Sequence, residues 1–445
     1  MIDALLNVPT LVKVLTSLGL ILAVNRLAKN LTVSVLAGTL VLGAWSGRPW
    51  AALGETAWAR FASADNLCLM AAVVLVIWLS SQMAAAGVMR DLVGAVRART
   101  GKRTSMAVLP AVIGVLPMPG GAIFSAPLVD RVDADGSVAP LLKVQANYWF
   151  RHIWEYWWPL YPGVLVAVDI TGLEIWQFMA LQAPLTLFAL AAGYAFLLRR
   201  IPAEAAGADR PASGDAAAAA PPPPLVRLVL PVIVVVGTYG AVRLAWWGAG
   251  HLWPALPPMN KYAPMILGLV LALATQQRQR PLAWPAWRPI LLSPRTATLV
   301  VLVAIIRIYG AVIETPMAGG PSLVQDMQAE MDAWGIPALG MIMLLPFVAG
   351  ITTGICVGFV GASFPIVVSL VGDGAATPEL LAAVTLAFGF GYMGMMLSPV
   401  HVCLIVTNEH FKTRLAHSLR GLLPPALTVL LAVVAYHVAI RLVGG

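Results

Sequence analysis

The chain has 445 residues, of which 60% are hydrophobic and only 11% charged, and its mean hydropathy is +0.84. A soluble domain carries about 25% charged residues, so this composition cannot clothe a globule in water, and lipid is its expected solvent. The net charge of +8 marks topology rather than nucleic acid, because the basic residues fall in short segments between apolar runs.

Each membrane span needs about 20 apolar residues, and the chain offers about ten such stretches. All should be helical, since lipid leaves the backbone no other partner than itself. The first span is expected over about 8–24; no basic leader or cleavage site marks it as a signal peptide. The next are about 31–47 and 67–87. A charge-free run then covers 105–129, followed by spans at about 138–168 and 175–198. Residues 199–224 change character, with an alanine run at 216–220 and prolines at 221–224, and read as a linker. Beyond it, spans are expected at about 226–247, 261–276 and 297–315, then a second unusual run at 336–371, then spans at about 379–408 and 421–441.

The two unusual runs suggest a duplication. Leu109-Pro110-Ala111-Val112-Ile113-Gly114 matches Leu345-Pro346-Phe347-Val348-Ala349-Gly350. Ser125-Ala126-Pro127 matches Ser363-Phe364-Pro365, and Trp158-Pro159 matches Ser398-Pro399. The proline offsets are 236, 238 and 240, in order and drifting as small insertions would make them drift. Charge gives orientation. The segment 88–104 carries Arg90, Arg97, Arg99, Lys102 and Arg103 and is expected in the cytoplasm. The segment 316–335 carries Asp326, Glu330 and Asp332 with no Lys or Arg and is expected outside. The matching runs therefore start from opposite sides, the pattern of an inverted repeat. The linker and the segment 410–420, with Lys412, Arg414 and Arg420, fall in the cytoplasm, and an even number of spans puts both termini outside.

Each unusual run is broken. Pro117-Met118-Pro119-Gly120-Gly121 cannot continue a helix, and the halves on either side are too short to span. The expected form is a re-entrant hairpin, which survives at that depth only inside protein or against a wet cavity. The second tip is expected at Gly350-Ile351-Thr352-Thr353-Gly354, continuing towards Gly358 and Gly361; its hydroxyls suit a dehydrated cation such as Na⁺ or a polar substrate. A helix restarting after each tip favours an anion; close helix packing through small residues is the competing account. Spans four and nine carry Pro159 and Pro399 deep inside, which frees nearby carbonyls as in broken-helix transporters.

Ionisable groups inside spans default to function. Glu155 reads either as a proton or cation site or as an i,i+4 partner of Arg151. His401 reads as a proton-linked group or a hydrogen-bonded structural one. Arg307 would hold an anion, pair with Glu314, or snorkel, and Lys13 would snorkel. Trp154, Trp157 and Trp158 suit an interfacial belt or a cavity wall. Cys68, Cys356 and Cys403 show no paired spacing, which argues against a disulfide framework or a zinc site. No metalloprotease, nucleophile-elbow or phosphate-loop motif occurs, so the chain reads as a transporter and not an enzyme, with no cofactor.

The arrangement resembles the ion transporter superfamily, which includes divalent-anion/sodium symporters, gluconate permeases and the large subunits of tripartite transporters. Met118-Pro119-Gly120-Gly121, Asn147-Tyr148-Trp149-Phe150-Arg151-His152 and Leu397-Ser398-Pro399-Val400-His401 are similar to an uncharacterised prokaryotic integral-membrane family within it. The resemblance implies an all-α elevator in the prokaryotic cytoplasmic membrane, usually dimeric, that moves a small carboxylate or inorganic anion coupled to Na⁺ or H⁺. Its transport domain would comprise 105–198 and 336–445, and its scaffold 1–104 and 225–335. The expected substrate and ion site gathers Pro119, Gly120, Gly121, Ser125, Asn147, His152, Glu155, Thr352, Thr353, Gly354, Ser363, Ser398 and His401, with Na⁺ near Thr352 and Thr353. The first tip departs from the symporters' Ser-Asn-Thr motifs and has no side-chain oxygen, so backbone groups, Ser125 and Asn147 would serve there. A cation/proton antiporter and a non-transporting component of a larger complex are the alternatives.

Overall fold

Helix after helix starts and stops where local chemistry dictates. In the computed structural model, which describes residues 8–97, 100–115, 121–202, 224–316, 320–371 and 377–444, all regular structure is helical. The first helix, α1 (Thr10–Ala28), has its leading N–H groups capped from afar: Thr10 and Leu11 donate to the Glu330 carboxylate at 2.7 and 2.8 Å. It ends at Lys29, which takes a left-handed conformation with φ of 50°. Asn30 then caps α2 (Leu31–Trp45) by accepting from the Val33 N–H. After the short α3 (Trp50–Phe61), Ser63 caps α4 (Ala64–Ala85) in the same way. An amphipathic helix follows, α5 (Val88–Arg97).

The first unusual run forms α6 (Lys102–Gly114) and α7 (Ala122–Val132), which pack on each other. The tip residues 116–120 lie outside the described residues. The next span is interrupted, as expected. Its first part, α8 (Pro140–Arg151), gives way to turns over 152–161 before α9 (Pro162–Ile170). Pro159 and Pro162 supply no N–H to the carbonyls four residues earlier, and Pro162 opens the new helix at its first position. The helix α10 (Ile175–Phe196) and a 3-10 turn at Leu198–Arg200 complete this half. Most of the expected linker, 203–223, lies outside the described residues.

The second half runs α11 (Leu225–Leu252), α12 (Ala263–Gln279), α13 (Trp284–Leu291), α14 (Pro294–Glu314) and the amphipathic α15 (Leu323–Trp334). Next come α16 (Ala338–Thr353) and α17 (Cys356–Val371), then α18 (Pro378–Met396), a break at 397–401, α19 (Val402–His410) and α20 (Leu415–Gly444). The break between α16 and α17 is narrower than expected. The helix continues through Gly350, Thr352 and Thr353 and turns only at Gly354, whose φ of 65° suits a residue without Cβ.

Among the described residues, seven helical stretches are long and apolar enough to cross a membrane: those at Thr10–Ala28, Ala64–Ala85, Ile175–Arg200, Leu225–Leu252, Trp284–Glu314, Pro378–Met396 and Leu415–Gly444. Three shorter apolar helices, Leu31–Trp45, Ala338–Thr353 and Cys356–Val371, add to them. This is a multi-pass membrane protein. Its outer helices show leucine, valine and tryptophan to the surroundings, for example Leu431 and Trp247. By contrast, α9, α17 and α18 are buried almost all round, so they are the interior against which the rest packs.

Two close approaches set that interior. A Cβ on Gly114 would collide with the Arg151 carbonyl of α8, and one on Gly350 with the Gly391 carbonyl of α18. In each case an unsubstituted residue lets one helix press its backbone onto the next. Further crossings link the halves: α7 packs on α19, and α17 on α9.

Candidate functional site

The two helix breaks meet. His152, at the end of α8, and His401, at the start of α19, face each other with Nε2 atoms 3.2 Å apart and rings nearly perpendicular at 86°. Both are buried. His152 Nδ1 lies 2.6 Å from the Tyr148 carbonyl and donates its proton there, which leaves Nε2 as the acceptor that faces His401. The Tyr392 hydroxyl donates to the His152 carbonyl at 2.6 Å, and the Tyr148 hydroxyl donates to the Met396 carbonyl at 3.1 Å. These bonds satisfy carbonyls at the ends of α8 and α18, groups that lipid could not satisfy.

Arg151 brings charge to this junction. It is 3% exposed, and its Nη1 lies 3.1 Å from Cys403 Sγ and 3.4 Å from His152 Nε2. Its guanidinium fills the space where a Cβ on Gly121 would stand, at the start of α7. Glu155 is also buried, with Oε1 3.8 Å from His152 Nε2. The Tyr161 hydroxyl donates to the Gly114 carbonyl and closes α6 onto the break.

The other expected site residues divide. Pro119 and Gly120 lie outside the described residues. Ser125 is fully buried and its hydroxyl has no hydrogen-bond partner among the described residues. Asn147 donates to Thr407 Oγ1 at 3.2 Å, while its Oδ1 is buried without a partner among the described residues. Ser398 donates to the Ile351 carbonyl at 2.6 Å and ties the second break to the end of α16 beside Gly354. The Thr352 and Thr353 hydroxyls donate within α16, to the Val348 and Ala349 carbonyls, next to the helix-end carbonyl of Ile351 that accepts from Ser398. Ser363 likewise donates to Phe359 within α17.

Sequence reasoning gave Arg151 only a pairing role and set Cys403 aside for lack of paired spacing, although Cys403 stands two positions past His401. Arg307 does not pair with Glu314, which instead meets Arg60 at 3.1 Å. It pairs with Asp169 at the end of α9, because α9 packs against α14. The Tyr262 hydroxyl donates to Asp169 Oδ1 at 3.0 Å, and Lys261 Nζ stands 3.9 Å from the same oxygen. Lys13 is buried rather than snorkelling. Trp154 and Trp157 donate to the Ala111 carbonyl and to Thr186 and are partly buried against the core. At the head of α6, Lys102 meets Asp133 and Asp135. Burial opposes the Lys102 charge, but the bonds to Asp133 and Asp135 raise its pKa overall. The bond from Lys102 holds Asp135 down at about 2.

A family profile described as "Protein of unknown function (DUF401)" matches residues 11–206 and 266–439. The chain belongs to this family. The DUF401 match takes in both breaks, both helix pairs α6–α7 and α16–α17, and every residue of the histidine cluster; α11 lies outside it. No curated protein matches the chain.

Proposed function

We propose that this DUF401 protein is an ion-coupled secondary transporter that moves a small anionic solute through an inverted-repeat, elevator-type fold of the ion transporter superfamily. The observation that carries the reading is the buried Arg151–His152–Glu155–His401 cluster at the meeting of two interrupted helices. Ionisable groups at such depth are costly and belong to solute or ion pathways, and interrupted helices supply the sites of many secondary transporters.

The duplication is supported by element order. The series α4, α5, α6–α7, α8–break–α9, α10 recurs as α14, α15, α16–α17, α18–break–α19, α20. Gly114 and Gly350 press on carbonyls of the corresponding helices α8 and α18, and each half's second hairpin helix packs on the other half's post-break helix. In this reading α6–α7 and α16–α17 are the re-entrant hairpins, and they move with α8–α10 and α18–α20 against the remaining helices of a homodimer. Arg151 attracts the anion, with Ser125 and Asn147 Oδ1 offering further polar contacts. Protons are the favoured coupling ion, since Glu155 and the histidines gather at the junction while the Thr352 and Thr353 hydroxyls are engaged in their own helix.

The test begins with a thermal-shift panel of small carboxylates and inorganic anions, with and without Na⁺, at two pH values, because stabilisation follows ligand concentration over Kd. The stabilising anion then goes into proteoliposomes under a pH gradient. Glu155→Gln and His401→Ala abolish coupled uptake while the protein stays folded; full uptake by either variant removes that residue from the mechanism. Proton movement driven by Na⁺ alone, with no anion required, would replace this reading with a cation/proton antiporter.

A further inference from the structure

The cluster has a property that is independent of transport. The free nitrogens of His152 and His401 and the sulfur of Cys403 lie within 4.8 Å of one another. We propose that His152, His401 and Cys403 bind one thiophilic divalent cation of the Zn²⁺ and Co²⁺ class, with the fourth position left to solvent. No local spacing announces this site, because His152 and His401 are 249 residues apart in the chain.

Geometry comes first. With metal–nitrogen bonds of about 2.0–2.1 Å, two histidines on a tetrahedral ion hold their nitrogens about 3.3 Å apart. The observed separation is 3.2 Å. The His152 tautomer is already the one a metal needs: its Nδ1 proton is committed to the Tyr148 carbonyl, so Nε2 presents a lone pair. That outer bond is the usual support of a metal-ligating histidine. His401 Nδ1 makes no hydrogen bond among the described residues, so its proton can move there from Nε2, giving up only the bond to His152 Nε2 that the metal replaces.

A cationic group already occupies the space between the donors, and a metal has to displace it. The Arg151 Nη1 atom now sits between two of the donors, 3.1 Å from Cys403 Sγ and 3.4 Å from His152 Nε2. The donors thus already converge on positive charge. When the metal enters, Nη1 withdraws and bonds to the sulfur from outside. The Cys403 thiol releases its proton to solvent as the sulfur–metal bond forms, and no oxidation state changes. The carboxylate of Glu155, 3.8 Å from His152 Nε2, adds a nearby negative charge.

The experiment uses the full chain in detergent with its purification tag removed. Titration with Co²⁺ gives one saturable site per chain and a thiolate-to-cobalt charge-transfer band, which stoichiometric Zn²⁺ abolishes and Mg²⁺ leaves alone. Cys403→Ser, a change of one atom, removes the band, whereas Cys68→Ser and Cys356→Ser keep it. His401→Gln weakens binding by about tenfold or more. On the unmodified chain, Zn²⁺ protects Cys403 from maleimide alkylation as read by mass spectrometry, a result that needs no variant to fold. Absence of saturable Co²⁺ binding, survival of the band in Cys403→Ser, or unprotected Cys403 overturns the proposal. None of these readouts depends on solute flux, so the site stands or falls separately from the transport function.

Discussion

Replacing Asp169 with Asn removes the carboxylate that joins α9 to α12 and α14. Its side chain is 2% exposed, that of Arg307 9% and that of Lys261 15%. Taking one member from such a pair strands the other charge in a low-dielectric interior, at a cost of about 3–5 kcal/mol. The amide keeps the Tyr262 bond, worth about 1 kcal/mol, so Asp169→Ala should be worse by that amount. At about 2 °C per kcal/mol, the lower end for large domains, the melting temperature falls by about 6–10 °C. Fluorescence-detected size exclusion after heating in detergent measures it. A double variant, Asp169→Asn with Arg307→Met, should recover most of the loss, because the more buried charge is gone and Lys261 keeps its bond to the Val168 carbonyl. If the single variant melts with the wild type, or the double variant is no better than the single, Asp169 is not the counterion of Arg307.

Gly114→Ala and Gly350→Ala should each destabilise by about 1–3 kcal/mol or more, since the added methyl meets backbone that cannot swing aside. Gly237→Ala, with nothing within 4 Å, should instead stabilise α11 by about 0.5–1 kcal/mol, and the same thermal assay separates the two classes. Tyr392→Phe should cost about 1 kcal/mol, with a change in the His152 imidazole NMR signals as its carbonyl loses a donor. Asp135 has a pKa lowered from 3.8 to about 2, so its contribution is present above the higher value and lost as pH falls through the lower. The stability difference between wild type and Asp135→Asn should therefore narrow between those values and be level with pH above them.

The helix breaks were legible in the sequence because proline and glycine act locally. Pro159, Pro399 and Gly354 interrupt helices wherever they fall in an apolar run, and no partner is needed to infer it. The amphipathic α5 and α15 were not sought among apolar runs, although charge alternates with hydrophobic residues along both. The junction itself was half visible. His152, Glu155 and His401 stand out as ionisable residues in spans, but the approach of Arg151 to Cys403 depends on a fold that brings residues about 250 positions apart together. The width of the break after α16 was misread for the opposite reason: a glycine pair implied a wide break, yet Gly350 serves close packing against Gly391 and does not interrupt the helix.

The separation of His152 from His401 also orders events during synthesis. At about 5–20 residues per second, the 249 residues between them take about 12–50 s to make. For that interval Arg151 and Glu155 are in the membrane or at its edge without the α18–α19 segment that later encloses them. The nascent first half therefore has to hold its charged break near water, or in the care of the insertion machinery, until the second half arrives. A chain truncated after α10 should for this reason be short-lived in the cell, and supplying the second half as a separate polypeptide should rescue it.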